Sequence, residues 1–180
     1  VPTPRHGPRY NCATLGSPGA YFLSCRNTVF IQAPHMVVLQ SPLDKRYRVI
    51  WTDGRAFPKA LPDDRWYGYS VGKWADNSTF VVNTIGLIGH ERTWLDETGR
   101  PVSEQTKVEE RFHLVNANLM EITVTVEDPK LYTKPWVAMD KFPMKLQAPD
   151  YDVIEMLCAP SDMNSYKDDF ADPASGIDRK

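Results

Sequence analysis

The sequence predicts an all-β fold, an antiparallel meander of about nine strands closing into a barrel of the lipocalin kind. Three observations lead there. Short runs rich in β-branched and aromatic residues follow one another from residue 28 to residue 158, each bounded by turn residues. The clearest, 119–127, sets Met120, Ile122, Val124 and Val126 against Glu121, Thr123, Thr125 and Glu127. That period of two places one face on a core and the other in water. Finally, no segment carries a sustained helical period.

Taken in order, residues 1–26 read as an extended arm, with Pro2, Pro4, Pro8 and Pro18 interleaved with Gly7, Gly16 and Gly19. The barrel domain is expected over 27–158. Its first runs, 28–32 and 35–40, are interrupted by Ala33-Pro34, and 46–52 follows the turn at Ser41-Pro42-Leu43-Asp44. The run 68–74 pairs with 79–85 through Ala75-Asp76-Asn77-Ser78, a good hairpin connection. A second hairpin joins 105–115 to 119–127 through Asn116-Ala117-Asn118, and 136–146 and 152–158 complete the count. Long loops are expected at 53–66 and 86–103. Closure is the economical way to remove exposed edges, with a two-sheet sandwich as the alternative. Residues 159–180, acidic and polar, read as a flexible tail. If ordered, such an arm and tail must be pinned to the domain or to a neighbouring subunit.

At 180 residues the chain suits a single domain with a real core. A net charge of -2 and the lack of a basic aromatic stripe argue against nucleic acid as a partner. Apolar stretches such as Val37-Val38-Leu39 are far too short to span a bilayer as a helix. The chain starts at Val1 without the charged-then-apolar shape of a signal peptide, as an already processed protein would. Cys12, Cys25 and Cys158 form no zinc-like spacing; one disulfide with a spare thiol and three buried thiols both remain open. The histidines, His6, His35, His90 and His113, are scattered, with His90-Glu91 the one pair worth testing. No metal or cofactor is expected. No hydrolase elbow, phosphate loop or dinucleotide fingerprint occurs.

Strand parity singles out Glu110. It shares a face with Val108, Phe112 and Leu114, whereas Lys107, Glu109, Arg111 and His113 share the other. A carboxylate pointing into a barrel must be paired or must change its pKa. It is either a ligand contact or acid/base group, or a structural glutamate tied to an inward arginine or to backbone amides; the structural reading is preferred. Asp53, continuing the side of Tyr47, Val49 and Trp51, is the second acid/base candidate, facing inward at a barrel mouth. Gly54 permits a turn there, and Arg55 is placed to reach Asp53 or Glu110 as an anion anchor, with a structural turn lock preferred to catalysis. Trp51, Trp66, Tyr69, Trp94, Tyr132 and Trp136 are candidate pocket residues for an apolar or sugar-like ligand, with core packing as the plainer alternative.

Several stretches, in order, carry a resemblance. They include Val49-Ile50-Trp51-Thr52-Asp53-Gly54-Arg55, Gly68-Tyr69-Ser70-Val71-Gly72-Lys73-Trp74, Thr93-Trp94-Leu95-Asp96, Ser103-Glu104 and Val108-Glu109-Glu110-Arg111-Phe112. The last runs from Asp128-Pro129-Lys130 through Tyr132 to Trp136. Over roughly residues 12–158 the chain resembles a large, functionally uncharacterised bacterial family of exported proteins marked by an Ile-Tyr-Thr-Asp-Gly-Arg motif. The resemblance implies export to the periplasm or beyond, and a bridge between Cys12 and Cys158. Where the family pattern carries histidine, histidine and aspartate, this chain has Tyr69, Val102 and Asn83. Each departure removes a titratable group, which points to loss of part of any polar centre.

The expectation is therefore an exported, non-catalytic β-barrel that binds a ligand or serves as an accessory subunit of an assembly. The alternative is an enzyme acting on a small exported metabolite or sugar, with Glu110 and Asp53 as acid and base.

Overall fold

The computed structural model describes residues 14, 16–21, 27–41, 47–61, 63, 65–89, 93–96, 98–153, 159–171 and 174. Eight strands form one sheet in chain order: β1 (Val29–Ala33), β2 (Met36–Gln40), β3 (Tyr47–Trp51), β4 (Tyr69–Trp74), β5 (Thr79–Ile85), β6 (Lys107–Asn116), β7 (Leu119–Glu127) and β8 (Trp136–Lys145). The fold is all-β, as expected from the period-two runs, and the sheet curls into a half-barrel. Among the described residues β1 and β8 do not pair with each other, so the sheet keeps two edges where closure was expected. Of the anticipated ninth strand, Asp152 and Val153 carry no strand structure and 154–158 lie outside the described residues.

Turn chemistry sets the hairpins. Asp76 Oδ1 accepts from Ser78 N at 2.7 Å and from Ser78 Oγ at 2.9 Å between β4 and β5. Asn116 Oδ1 accepts from Asn118 N at 2.9 Å between β6 and β7. Both are side chains closing a turn on their own backbone.

One pair departs from the meander. β3 and β4 run parallel, joined in register at Ile50↔Ser70 and Trp51↔Val71. Parallel neighbours need a connection that returns the full strand length. The long segment expected at 53–66 is that crossover.

The inner face is apolar for most of its extent. Leu39, Ile50, Phe80, Val82, Val108, Phe112, Ile122, Val124 and Val126 pack in one core. Full burial of an aliphatic side chain contributes about 1.5–3 kcal/mol, which makes this row the main source of stability. Gly72 belongs to the same packing: a Cβ there would lie 2.8 Å from Ile50 Cγ2 and strike the Phe80 ring. Glycine lets these two side chains fill the space in front of β4.

The acidic tail was expected to lack structure, yet 160–171 is helical. It comprises α1 (Pro160–Tyr166) followed by a π-helical turn over Lys167–Ala171. Proline at the first helical position and Asp162 in the first turn both favour a helix start. No helix among the described residues is long and apolar enough to cross a membrane.

Candidate functional site

Glu110 faces inward, as strand parity requires, and is wholly buried. Its partner is Arg48 of β3, which is 3% exposed. Arg48 Nη1 donates to Glu110 Oε1 at 2.6 Å and Nη2 donates to Oε2, a two-pronged ion pair. The remaining donors are also engaged. Nε donates to Ser70 Oγ at 3.1 Å, Nη1 to the Tyr21 hydroxyl at 2.9 Å, and Nη2 to Thr84 Oγ1 at 2.7 Å. A guanidinium has five N–H groups, and here each has an acceptor. Burial works against the charged Arg48, but the charge of Glu110, the Tyr21 hydroxyl and the hydrogen bonds to both together outweigh it and hold the arginine above its ordinary range. Burial, and then the charge of Glu110, push the Tyr21 phenol well above its own.

This arrangement corrects the expected geometry of β3. Arg48 and Ile50 form its buried face, whereas Tyr47 is 71% exposed. Asp53, assigned inward because it continues the side of Tyr47, Val49 and Trp51, is instead exposed. The large apolar residues lie on the outer face, and the inward positions hold one isoleucine and the arginine that Glu110 requires. Arg55 likewise does not reach Glu110. It pairs with Asp53, its Nε donating to Oδ1 at 2.8 Å and Oδ2 at 3.0 Å. Gly54, at φ 81°, lets the chain fold back between the two. Hydrogen bonds from Arg55 hold the Asp53 carboxyl down to about 2. The Arg55 guanidinium lies 3.7 Å over the Trp51 ring and 3.4 Å from the Tyr69 hydroxyl.

The aromatic candidates fall into two groups. Trp51, Trp66 and Tyr69, with Tyr47 and Tyr67, line a cleft of about 760 Å³ between β3 and the segment leading into β4. Arg48, Arg65 and Ser70 complete its polar lining. The cleft exists because the parallel ladder is only two pairs long, so the strands part on one side of it. Arg65 is held there by its backbone, whose N–H donates to Gly86 O at 3.1 Å and whose carbonyl accepts from Ile88 N at 3.0 Å.

Trp94, Tyr132 and Trp136 belong elsewhere. Trp94 bridges to Pro101, whose carbonyl accepts from the Tyr132 hydroxyl at 2.9 Å, and Tyr132 meets Trp136 edge-on at 5.7 Å. They tie the loop before β6 to the start of β8. The Trp136 Nε1 is buried without an acceptor among the described residues.

A second polar centre has no signature of its own in the sequence. Asp128, 1% exposed, accepts from Ser103 N and Oγ, each at 3.0 Å, from Thr106 Oγ1 at 2.5 Å, and from Lys130 N at 3.0 Å. Burial raises its pKa, but the Thr106 and Ser103 hydrogen bonds prevail and hold it below the ordinary range. Ser103 and Asp128 each stand at a loop end beside a strand, but nothing in one sequence pairs them.

Tyr69 and Asn83 lie on the outward face of β4 and β5, whereas Val102 is buried in the core. Cys12, Cys158, Cys25 and His90-Glu91 lie outside the described residues. Among the described residues no group of three or more His, Cys, Asp or Glu is placed to hold a metal ion. Comparison with family models, curated proteins and solved structures finds no match.

Proposed function

We propose that this chain is an exported, non-catalytic β-protein that holds a small ligand in the cleft between β3 and β4. One observation carries the reading. The inward carboxylate, Glu110, has both oxygens engaged by Arg48 and no exposure to solvent, while Trp51, Trp66 and Tyr69 line a cleft that Glu110 does not enter. An acid/base group must reach a reacting proton, and Glu110 is closed off from one. Asp53 is accessible, but with its carboxyl held down by Arg55 it is a poor proton acceptor near neutral pH. A cleft of this size, half-lined by aromatic residues, matches the usual dimensions of small-molecule sites. The exported address rests on the resemblance to the Ile-Tyr-Thr-Asp-Gly-Arg family.

A second role, as an accessory subunit, has its own support. Both edge strands carry exposed apolar side chains, Ile31 on β1 and Val137 and Phe142 on β8. Unpaired edges of that kind are ready templates for another chain.

Native mass spectrometry of protein purified from its own host tests both. A 20.5 kDa particle carrying a small molecule supports the binding role, and a larger particle with other chains supports the subunit role. Conversion of the released molecule by added protein would overturn the non-catalytic reading.

A further inference from the structure

Resting on the reading of the cleft as a ligand site, we propose that its ligand is a carboxylic acid carried on a six-membered ring, with Arg65 as its anion anchor. The lining shows why. Trp51, Trp66 and Tyr69 are each partly buried, so each is held in place and keeps a surface available. Such faces stack equally on an aromatic ring or on the C–H face of a sugar ring. They set the shape of the body but not its charge.

The charge follows from the cations. Among the described residues no carboxylate lines the cleft. Arg48, though on the lining, has all five N–H groups occupied and its charge matched by Glu110. Arg55, beside the cleft and against Trp51 and Tyr69, is matched by Asp53. Arg65 differs from both. It is exposed, its guanidinium stands 5.8 Å from the Tyr69 ring, and no carboxylate among the described residues pairs with it. A guanidinium fork of this kind is suited to taking a carboxylate through two parallel hydrogen bonds.

Other ligand classes fit less well. A quaternary ammonium would gain from the aromatic faces but would meet the Arg65 guanidinium, with no carboxylate among the described lining residues to balance it. A nucleotide would bring several negative charges to the Arg65 guanidinium, with no glycine-rich phosphate loop in the chain. One anionic group on one ring matches the one open cation among the described lining residues, beside a set of rings.

The same chemistry occurs in aromatic carboxylates and in uronic acids, and calorimetry separates them. The full chain is titrated with benzoate and with glucuronate, and with the uncharged partners benzyl alcohol and glucose. The expected result is that one acid binds at least tenfold more tightly than its uncharged partner. Arg65→Ala should bring that acid down to the uncharged partner's affinity, Arg65→Lys should restore part of the difference, and Trp66→Ala should weaken both ligands. Circular dichroism confirms that each variant is folded. Benzoate as the preferred acid assigns an aromatic ligand, and glucuronate a sugar. Equal binding of acid and uncharged partner, unchanged by Arg65→Ala but lost in Trp66→Ala, would overturn the anion assignment and leave the cleft intact. Binding indifferent to Trp66→Ala, or no binding of any probe at millimolar concentration, would overturn the cleft reading itself.

Discussion

Two arginine–carboxylate pairs with nearly the same local chemistry stand in opposite surroundings. Arg48–Glu110 lies inside the half-barrel, joins strands 62 residues apart in sequence, and has Ser70, Thr84 and Tyr21 as further partners. Arg55–Asp53 lies on the outer face, joins residues two apart across Gly54, and leans on Trp51. The interior pair is a cross-brace: desolvation makes each charge depend on the other, so loss of either leaves a stranded ion. Its exterior counterpart is a local clip, solvated and screened, that orients a guanidinium beside the cleft. Identical residue types thus serve stability in one place and surface shape in the other. Burial decides which.

Breaking the interior brace should have the largest effect. Glu110→Ala should destabilise the protein by about 3–5 kcal/mol in urea denaturation, because Arg48 is left buried and unpaired. Removing both charges together, with Arg48→Met and Glu110→Leu, should recover most of that loss. A double variant as unstable as the single one would mean that the hydrogen bonds to Ser70, Thr84 and Tyr21, and not the ion pair, hold this region.

Asp128 should rank next. It is a buried carboxylate with no cationic partner among the described residues, held by donors from two loops. Asp128→Ala should cost on the order of 3 kcal/mol by leaving those donors unsatisfied. The pH dependence has a definite sign. A carboxyl held below its unfolded value contributes stability above about pH 3.9, and that contribution is lost as the pH falls through and below it. The urea midpoint should therefore drop on acidification below about pH 4, and Asp128→Asn should flatten that drop. An unchanged slope in the variant would assign the acid sensitivity to other carboxylates.

The exterior clip should give the smallest effect on stability. Arg55→Ala should leave the urea midpoint where it is while shifting the emission of Trp51, which loses the cation from its ring face. A large fall in midpoint would erase the distinction between brace and clip.

Glu110 was legible in one sequence because a strand's period of two is local: four residues of β6 suffice to place its side chain inward. Its partner was not. Parity on β3 points the wrong way, since Tyr47, Val49 and Trp51 outweigh Arg48 and Ile50 in apolar bulk, and apolar bulk ordinarily marks the core face. The better signal was the unpaired charge itself. An inward carboxylate demands an inward cation, and Arg48 is the arginine within the strand nearest to Asp53 and Arg55. The same limit applies to the aromatic residues, which sequence offers as one set and which the structure divides between the cleft and the anchor at Pro101.

The sequence by itself determined the all-β class, most strand positions, both hairpin turns and the inward direction of Glu110, because each depends on neighbours a few residues away. Tertiary structure alone decided that β3 and β4 run parallel, that Arg48 meets Glu110, and that Trp51, Trp66 and Tyr69 share a cleft. These depend on the curl of the sheet, which brings β3 and β6 face to face across the interior with two strands between them in the ladder. They depend equally on the crossover that returns the chain to begin β4 beside β3, leaving the gap in which the cleft forms.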